Sequence, residues 1–522
     1  MRMLSKWIKK QINKRKFWEY LTTSCIHTVI IMRGVPGSGK CHKKGTKILM
    51  YDGSIKNVED IVVGDQVMGV DSKPRNVLNL SVGIGEMYSI IPNKGADFSV
   101  NGQHILVLKK SGLLIQSHGK NIGYRKNPIQ KQISVDNYLK LAPVVRDRLK
   151  LFRTGVDFAV KKIELEPYFL GLWLGDGKSN MPYIYTMDKE IKQYIYSFAQ
   201  KMGATIRCYG RKNNRAKDYR ITYPQNNHFN PILNLLRQYN LINNKHIPKE
   251  YLTNSRKIRL KVLAGLIDSD GYHNKKGGYQ ISTKFDQLKD DILYLCRSLG
   301  FAAYSKKVIK GIKSSGFKGE YWNITISGNT NEVPVLLPRK KAHNRKMNKD
   351  VLVTGFKVES LGVGDYYGFE TDGDHRYLLS DFTVMHNSTL AKKICKKYNG
   401  IIHSTDNYFI DKDGKYKFNA DMLMENHRKN YDAFCKNLNE GTPIVIVDNT
   451  NIRHKWYREY VEKANEIGYQ VIEVLIDPDY CTVDEMYKRN KHNVPKKIVE
   501  NMYNALKNNM KPIEGCQKQF II

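Results

Sequence analysis

Four residue types at widely separated points of the chain have what is needed to break and remake a peptide bond. Cys41 carries the most easily ionised nucleophile among the side chains that attack carbonyls. His386 and Asn387 directly precede Ser388, so a proton-transfer group, an amide able to cyclise and a hydroxyl nucleophile are consecutive. His104, in FSVNGQHILVL, adds an imidazole that titrates near neutral pH. Cys41 is suited to attack the carbonyl of Lys40.

Cys41 also interrupts a second pattern. The stretch RGVPGSGK fits the phosphate-binding form GxxxxGK, in which Gly34, Gly37, Gly39 and Lys40 would cradle ATP phosphates. The next residue should be Ser or Thr, whose hydroxyl ligates magnesium, and a thiol is a poor substitute for a hard cation. HTVIIMRG before the loop reads as a β-strand, but the residues after Cys41 read as short strands and turns with no helix start. The missing helix begins with Ser388 and Thr389 in STLAKKICKKY. Joining Lys40 to Ser388 restores strand, loop and helix, with the Ser388 hydroxyl as magnesium ligand and Thr389 beside the phosphates.

A first Cys, a His-Asn ending and a following Ser make residues 41–387 resemble an intein. FSVNGQHILVL resembles the block with the activating histidine, His104. DYYGFETDGDHRYLLSDFTVMHN resembles the C-terminal blocks, with His375 in the penultimate one. Asn101 stands where many members have Thr, and Gly368 where many have Asp. The resemblance implies an all-β Hint (horseshoe) splicing domain in two pieces, 41–164 and 343–387, that needs no cofactor. It also implies an order: thioester at Cys41, transfer to Ser388, cyclisation of Asn387 assisted by His386 and His375, and an acyl shift leaving a Lys40–Ser388 peptide bond. A papain-like protease uses Cys, His and Asn too, but leaves the divided loop unexplained.

Within this segment lie YFLGLWLGDG (168–177) and VLAGLIDSDG (262–271). Small residues on one face, Gly171 and Gly175 in the first and Ala264, Gly265 and Ser269 in the second, would let two helices approach closely. Asp176 and Asp270 would then emerge at the helix C-termini, where negative charge opposes the dipole and calls for a cation. The second motif is one substitution from LAGLIDADG, and the pair resembles the homing endonuclease family of that name. That resemblance implies an α+β, two-motif monomer over 165–342 that binds double-stranded DNA, its target the uninterrupted allele of its own gene. It further implies Mg2+ on Asp176 and Asp270, and helper lysines. NNKHIPKEYL nominates Lys245, and LLPRKKAHNRK nominates Lys341 or its neighbour Lys340. Basic, aromatic-containing stretches such as KNIGYRKNPIQKQ, an insert within 41–164, and RCYGRKNNRAKDYR suit phosphate contacts. A domain that binds DNA without cutting it is the alternative.

The flanks, 1–40 and 388–522, together make about 175 residues, enough for one α/β P-loop domain. GIIHSTDNYFIDKDGKYKFN resembles phage-type polynucleotide kinases and other small AAA-type ATP-binding kinases. By that resemblance Asp406 is the base acting on a hydroxyl-bearing acceptor, such as a nucleic acid. DNTN, Asp448 to Asn451, falls at a strand end where substrate contacts belong. MYKRNKHNVPKKIVENMY resembles the kinase lid, with Arg489 steadying phosphate charge, while Phe409 stands where the phage kinase has Arg. ATP and Mg2+ are the implied cofactors. A plain ATPase or nucleotide-binding module would share the loop without needing Asp406.

Composition agrees with these partners. A formal charge of +36 favours a polyanion, and eight cysteines without a CxxC pair argue against zinc and disulfides. No apolar run approaches the roughly 20 residues that span a bilayer. MRMLSKWIKKQINKRKFWEY reads as a basic helical leader without a signal-peptide core. The expectation is an intracellular monomer, cytoplasmic or in a viral factory.

Overall fold

The structure, a computed structural model, describes residues 16–17, 19–21, 27–33, 41–110, 114–117, 120–124, 130–210, 216–223, 230–274, 277–312, 317–344, 350–386, 390–409, 419–476, 483 and 496–521. It is a mixed α/β chain of several units. Among the described residues no helix is long and apolar enough to cross a membrane.

The β-branched run before the loop forms β1 (Thr28–Arg33), buried throughout. Residues 41–387, the insert that divides the loop, then open with the strands β2 (His42–Lys43), the long β3 (Pro74–Pro92), β4 (Phe98–Asn101), β5 (Ile105–Lys110) and β6 (Leu149–Phe152). Alternation decides their facing. In β4 the burial of Phe98, Val100 and Asn101 leaves only Ser99 half-open.

From Pro167 the period changes to that of helices. Helix α1 (Pro167–Asp176) is followed by β7 (Tyr183–Thr186), α2 (Lys189–Lys201), β8 (Thr205–Tyr209) and β9 (Lys217–Thr222). The order recurs with one strand added, as α3 (Arg256–Asp270), β10 (Gly271–His273), β11 (Tyr279–Thr283), α4 (Asp286–Ser298), β12 (Ala302–Ile312) and β13 (Phe317–Ser327). Each half has its own antiparallel sheet, ordered β7-β9-β8 and β10-β11-β13-β12. One apolar core, from Leu165 to Ala342, spans both halves.

Helices α1 and α3 meet backbone to backbone. A Cβ on Gly171 would lie 2.1 Å from the Val262 carbonyl oxygen, and one on Gly265 2.2 Å from that of Tyr168. Neither oxygen can rotate away, so only glycine fits. Gly265→Val is expected to destabilise this unit by about 3 kcal/mol, at the upper end of ordinary overpacking. An unchanged denaturant midpoint for its unfolding transition would mean the two helices do not touch.

The chain then returns to the first unit with β14 (Phe356–Thr371), β15 (Arg376–Leu378) and β16 (Val384–His386). Strand β14 pairs along β3 and also with β2, while β16 inserts between β5 and β15. The two ends of the insert are therefore interior strands of sheets built by the rest of it.

Beyond the insert come α5 (Leu390–Tyr398), β17 (Ile401–His403), α6 (Leu423–Asn439), β18 (Ile444–Val447), α7 (Arg458–Glu466), β19 (Gln470–Leu475) and β20 (Lys518–Ile521). They enclose β1 in a parallel sheet ordered β17-β18-β1-β19-β20. One face is covered by α5 with Phe17 and Leu21, the other by α6 and α7. The leader, expected only to be basic and helical, thus contributes the buried Phe17 to this core, and Leu21 directly after it adds a second buried side chain. The chain leaves β1 toward one edge and β19 toward the other, so their carboxyl ends flank a switch point of the kind where α/β sheets bind ligands.

Candidate active sites

Cys41 is the residue before β2, and pairing of His42 with Val100 places it against the end of β4. Asn101 holds it in both directions: the Cys41 amide donates to Asn101 Oδ1 at 3.1 Å, and the Asn101 amide donates to the Cys41 carbonyl at 3.0 Å. That Cys41 nitrogen is the amide nitrogen of the Lys40–Cys41 bond, the one that must leave if the thiol attacks. Asn101, where Thr was expected, supplies an acceptor to the same atom.

His104 follows one turn later, its amide donating to the Asn101 carbonyl at 3.0 Å. Cys41 and His104 are both fully buried. His104 packs on His42, with ring centroids 4.6 Å apart, and His42 Nε2 lies 2.6 Å from the Tyr377 hydroxyl. Burial pushes His42 down to about 3, keeping it neutral. Burial also drives the Tyr377 phenol well up, with the nearby Cys41 thiol adding to it. His42 and Tyr377 were not singled out in the sequence. The position next to Cys41 was the only signal for the first, and nothing local marked the second.

The other end of the insert arrives at the same place. His386 pairs with Ile105, the residue after His104, and with Arg376 on its other side. His375, at φ 58°, sets its Nδ1 2.5 Å from the Thr371 carbonyl, and its ring lies 6.2 Å from that of His386. Cys41, His104, His375 and His386 are thus drawn together from both ends. Gly368 pairs with Ser81, whose carbonyl lies 4.0 Å from Cys41 Sγ. Gly34, Gly37, Gly39, Lys40, Asn387, Ser388, Thr389 and Arg489 lie outside the described residues.

In the two-motif unit, Asp176 and Asp270 are the last residues of α1 and α3. Burial and the neighbouring Asp270 raise the Asp176 carboxyl to about 6. Asp270 keeps an exposed edge, but desolvation by the surrounding protein raises it too. Each helix end has a lysine. Lys245 Nζ donates to the carbonyls of Gly175 at 3.1 Å and Gly177 at 2.8 Å. Lys340 Nζ donates to those of Ile267, Asp268 and Ser269 at 2.8, 2.9 and 2.9 Å. Of the two neighbours nominated, Lys340 occupies this position, and Lys341 is exposed. Lys340 ends a 3₁₀ turn (Pro338–Lys340) and is buried with its Nζ on the α3 carbonyls, whereas Lys341 caps the turn on the exposed side. Desolvation lowers Lys245 to about 8 and also lowers Lys340. Asp268, not foreseen, accepts from the Tyr168 hydroxyl at 2.7 Å and so ties the two helices together.

Two like-charged carboxylates, each harder to ionise than usual, suit a divalent cation that takes one or two protein carboxylates and completes its shell with phosphate and water. Metal binding must then expel protons, so Mg2+ affinity is expected to rise as pH climbs through about 6. Calorimetric titration at pH 5 and pH 7 checks this; equal affinities would mean that Asp176 is not a ligand.

In the unit built around β1, here called the host, Asp406 is exposed in a 3₁₀ segment (Thr405–Phe409) after β17. The Thr405 amide donates to Asn449 Oδ1 at 2.9 Å, which brings this segment to the DNTN turn after β18. Asn451 in that turn adopts φ 46° and donates to the Met32 carbonyl at 2.7 Å, at the end of β1. Phe409 is a buried core residue.

Residues 41–127 match the family model for a Hom_end-associated Hint, and residues 246–352 the model for a homing endonuclease. The chain is 27% identical over 384 residues to the replicative DNA helicase DnaB of Mycobacterium intracellulare, covering 69% of this chain and 61% of that one. It is 25% identical over 291 residues to the homothallic switching endonuclease of Saccharomyces cerevisiae (strain ATCC 204508 / S288c), 48% of this chain and 49% of that one. The chain thus spans less than two thirds of either relative. The crystal structure of the gp41-1 intein covers 22% of this chain and 70% of its own, at 16% identity and a TM-score of 0.16.

Proposed function

We propose, from the premise that this chain carries an intein with a Hint domain and a homing endonuclease domain, that it is a self-splicing precursor. One observation carries the reading: Cys41 and His386, 345 positions apart in sequence, flank the same Asn101-to-His104 turn. Cys41 Sγ attacks the Lys40 carbonyl carbon; a C–S bond forms, the C–N bond breaks, and the thiol proton ends on the departing Cys41 amine. His104 carries that proton, and Asn101 keeps the leaving nitrogen oriented. Ser388 Oγ then attacks the same carbon, its proton returning to the Cys41 sulfur as the C–S bond breaks. Asn387 cyclises through its side-chain nitrogen, cleaving its bond to Ser388, with His386 and His375 moving the protons. The freed Ser388 amine finally takes the acyl group from its own oxygen.

In the endonuclease, Asp176 and Asp270 are the residues that would hold Mg2+, which would supply water activation and offset phosphate charge. Lys245 and Lys340 hold both helix ends and balance the paired carboxylates. The DNA substrate is the uninterrupted form of the host gene. The ligated host is read as an ATP-binding kinase of a hydroxyl acceptor, with Ser388 as Mg2+ ligand and Asp406 as base.

Intact-mass measurement of the expressed chain tests the splicing reading. Two products are expected, one ending at Asn387 and one containing a Lys40–Ser388 bond. Persistence of the 60.4 kDa chain alone, with nothing released by added thiol, overturns it.

A further inference from the structure

The host sheet is already closed across the insert. Strand β1 comes from before residue 41, and every other strand of that sheet comes from after residue 387. Thr28–Arg33 runs in register with Gln470–Leu475, and Thr28–Ile31 with Ile444–Val447. Phe17 and Leu21 pack with Phe520, and the His27 ring stacks on Tyr469 at 4.9 Å.

Arg33 locks this arrangement. It is fully buried, and each of its five N–H groups has an acceptor. Nε donates to the Asn451 carbonyl at 3.1 Å, and Nη1 to Glu473 Oε2 at 2.8 Å and the Lys511 carbonyl at 3.3 Å. Nη2 donates to the carbonyls of Asn509 at 2.6 Å and Ile452 at 3.5 Å. Glu473 in turn accepts from the Tyr457 hydroxyl, the Ile513 amide and Gln519 Nε2. All five acceptors of Arg33 lie beyond the insert. Breaking such a buried pair from one side leaves an uncompensated charge, a cost that opposes separation of the two segments.

We infer that the folded host acts as a splicing clamp, in which Phe17, Leu21 and strand β1 on one side and the strands after residue 387 on the other hold acyl donor and acceptor together, with Arg33 and Glu473 as positioning residues. The inference rests on the splicing reading above. Once Cys41 has taken the Lys40 acyl group, no peptide bond links residues 1–40 to the rest of the chain. Seven residues separate Arg33 from Cys41, a reach of at most about 29 Å. The clamp therefore keeps the thioester at a high effective concentration relative to Ser388, and transfer outruns loss to water. It also predicts that an N-terminal segment cut free by a competing reaction stays bound.

The test uses the full chain carrying Asn387→Ala and Ser388→Ala, which stops at the thioester. Dithiothreitol should release residues 1–40 covalently, and this fragment should still co-elute with the remainder in native gel filtration, separating only in guanidinium. Release followed by separation under native conditions overturns the clamp alone. No release at all overturns the splicing reading on which the clamp depends. In the otherwise unaltered chain, Glu473→Gln should lower the ratio of spliced to thiol-cleaved product about tenfold through lost effective concentration, while cleavage at Cys41 persists. An unchanged ratio, or loss of cleavage and splicing in equal measure, assigns Glu473 a merely structural role and overturns its place in the clamp.

Discussion

With Cys41 replaced by alanine, thiol is expected to release no N-terminal fragment and no ligated host is expected to form. A methyl group cannot attack the Lys40 carbonyl, although Asn101 would still accept from the backbone amide of residue 41. Cys41 and His104 are fully buried and His386 is 4% exposed, and water lacks the thiol's nucleophilicity. Any remaining processing should be confined to cleavage after Asn387. Asn101→Ala should be milder, since it removes one orienting hydrogen bond and no reacting atom. Mass spectrometry of products over time separates the two variants, and ligated host from the Cys41→Ala chain would remove Cys41 from the mechanism.

Asp270→Asn should reduce magnesium-dependent cleavage of the uninterrupted host gene by at least about a hundredfold, since loss of even an outer-shell partner of a metal ligand costs 10–100-fold. Asparagine preserves the shape at the end of α3 and leaves Lys340 on its carbonyls, so the fold should survive. The charge does not: the cation loses one of its two protein carboxylates, and the Asp176 carboxyl, relieved of a like-charged neighbour, should shift down from about 6. DNA binding should persist, because it depends on the wider basic surface. Undiminished cutting in this variant would remove Asp270 from the metal site.

The candidate site residues were legible because splicing and cutting would each demand fixed residue types at segment ends: Cys41 and His386 at the ends of the insert, Asp176 and Asp270 at the ends of their helices. The close helix contact was legible in Gly171 and Gly265 for the same reason. Long-range pairing left weaker traces. Nothing near Tyr377 signals that it will meet His42, because the contact depends on how β15 returns to the sheet. The choice of Lys340 over Lys341 depends on the direction of one 3₁₀ turn, which one-residue spacing in a Lys-rich stretch does not resolve. Arg33 reads as the polar end of a strand, and only the assembled sheet makes it the hub of the host core.

The insert begins and ends inside its own sheets, with β2 between β4 and β14 and β16 between β5 and β15. Chain termini are ordinarily where trimming enzymes gain a hold. On the splicing reading, the excised segment has a fully buried first side chain, which gives exopeptidases working from that end almost nothing to grip. Its turnover should then be slow, with its persistence set by global unfolding rather than by erosion from that end.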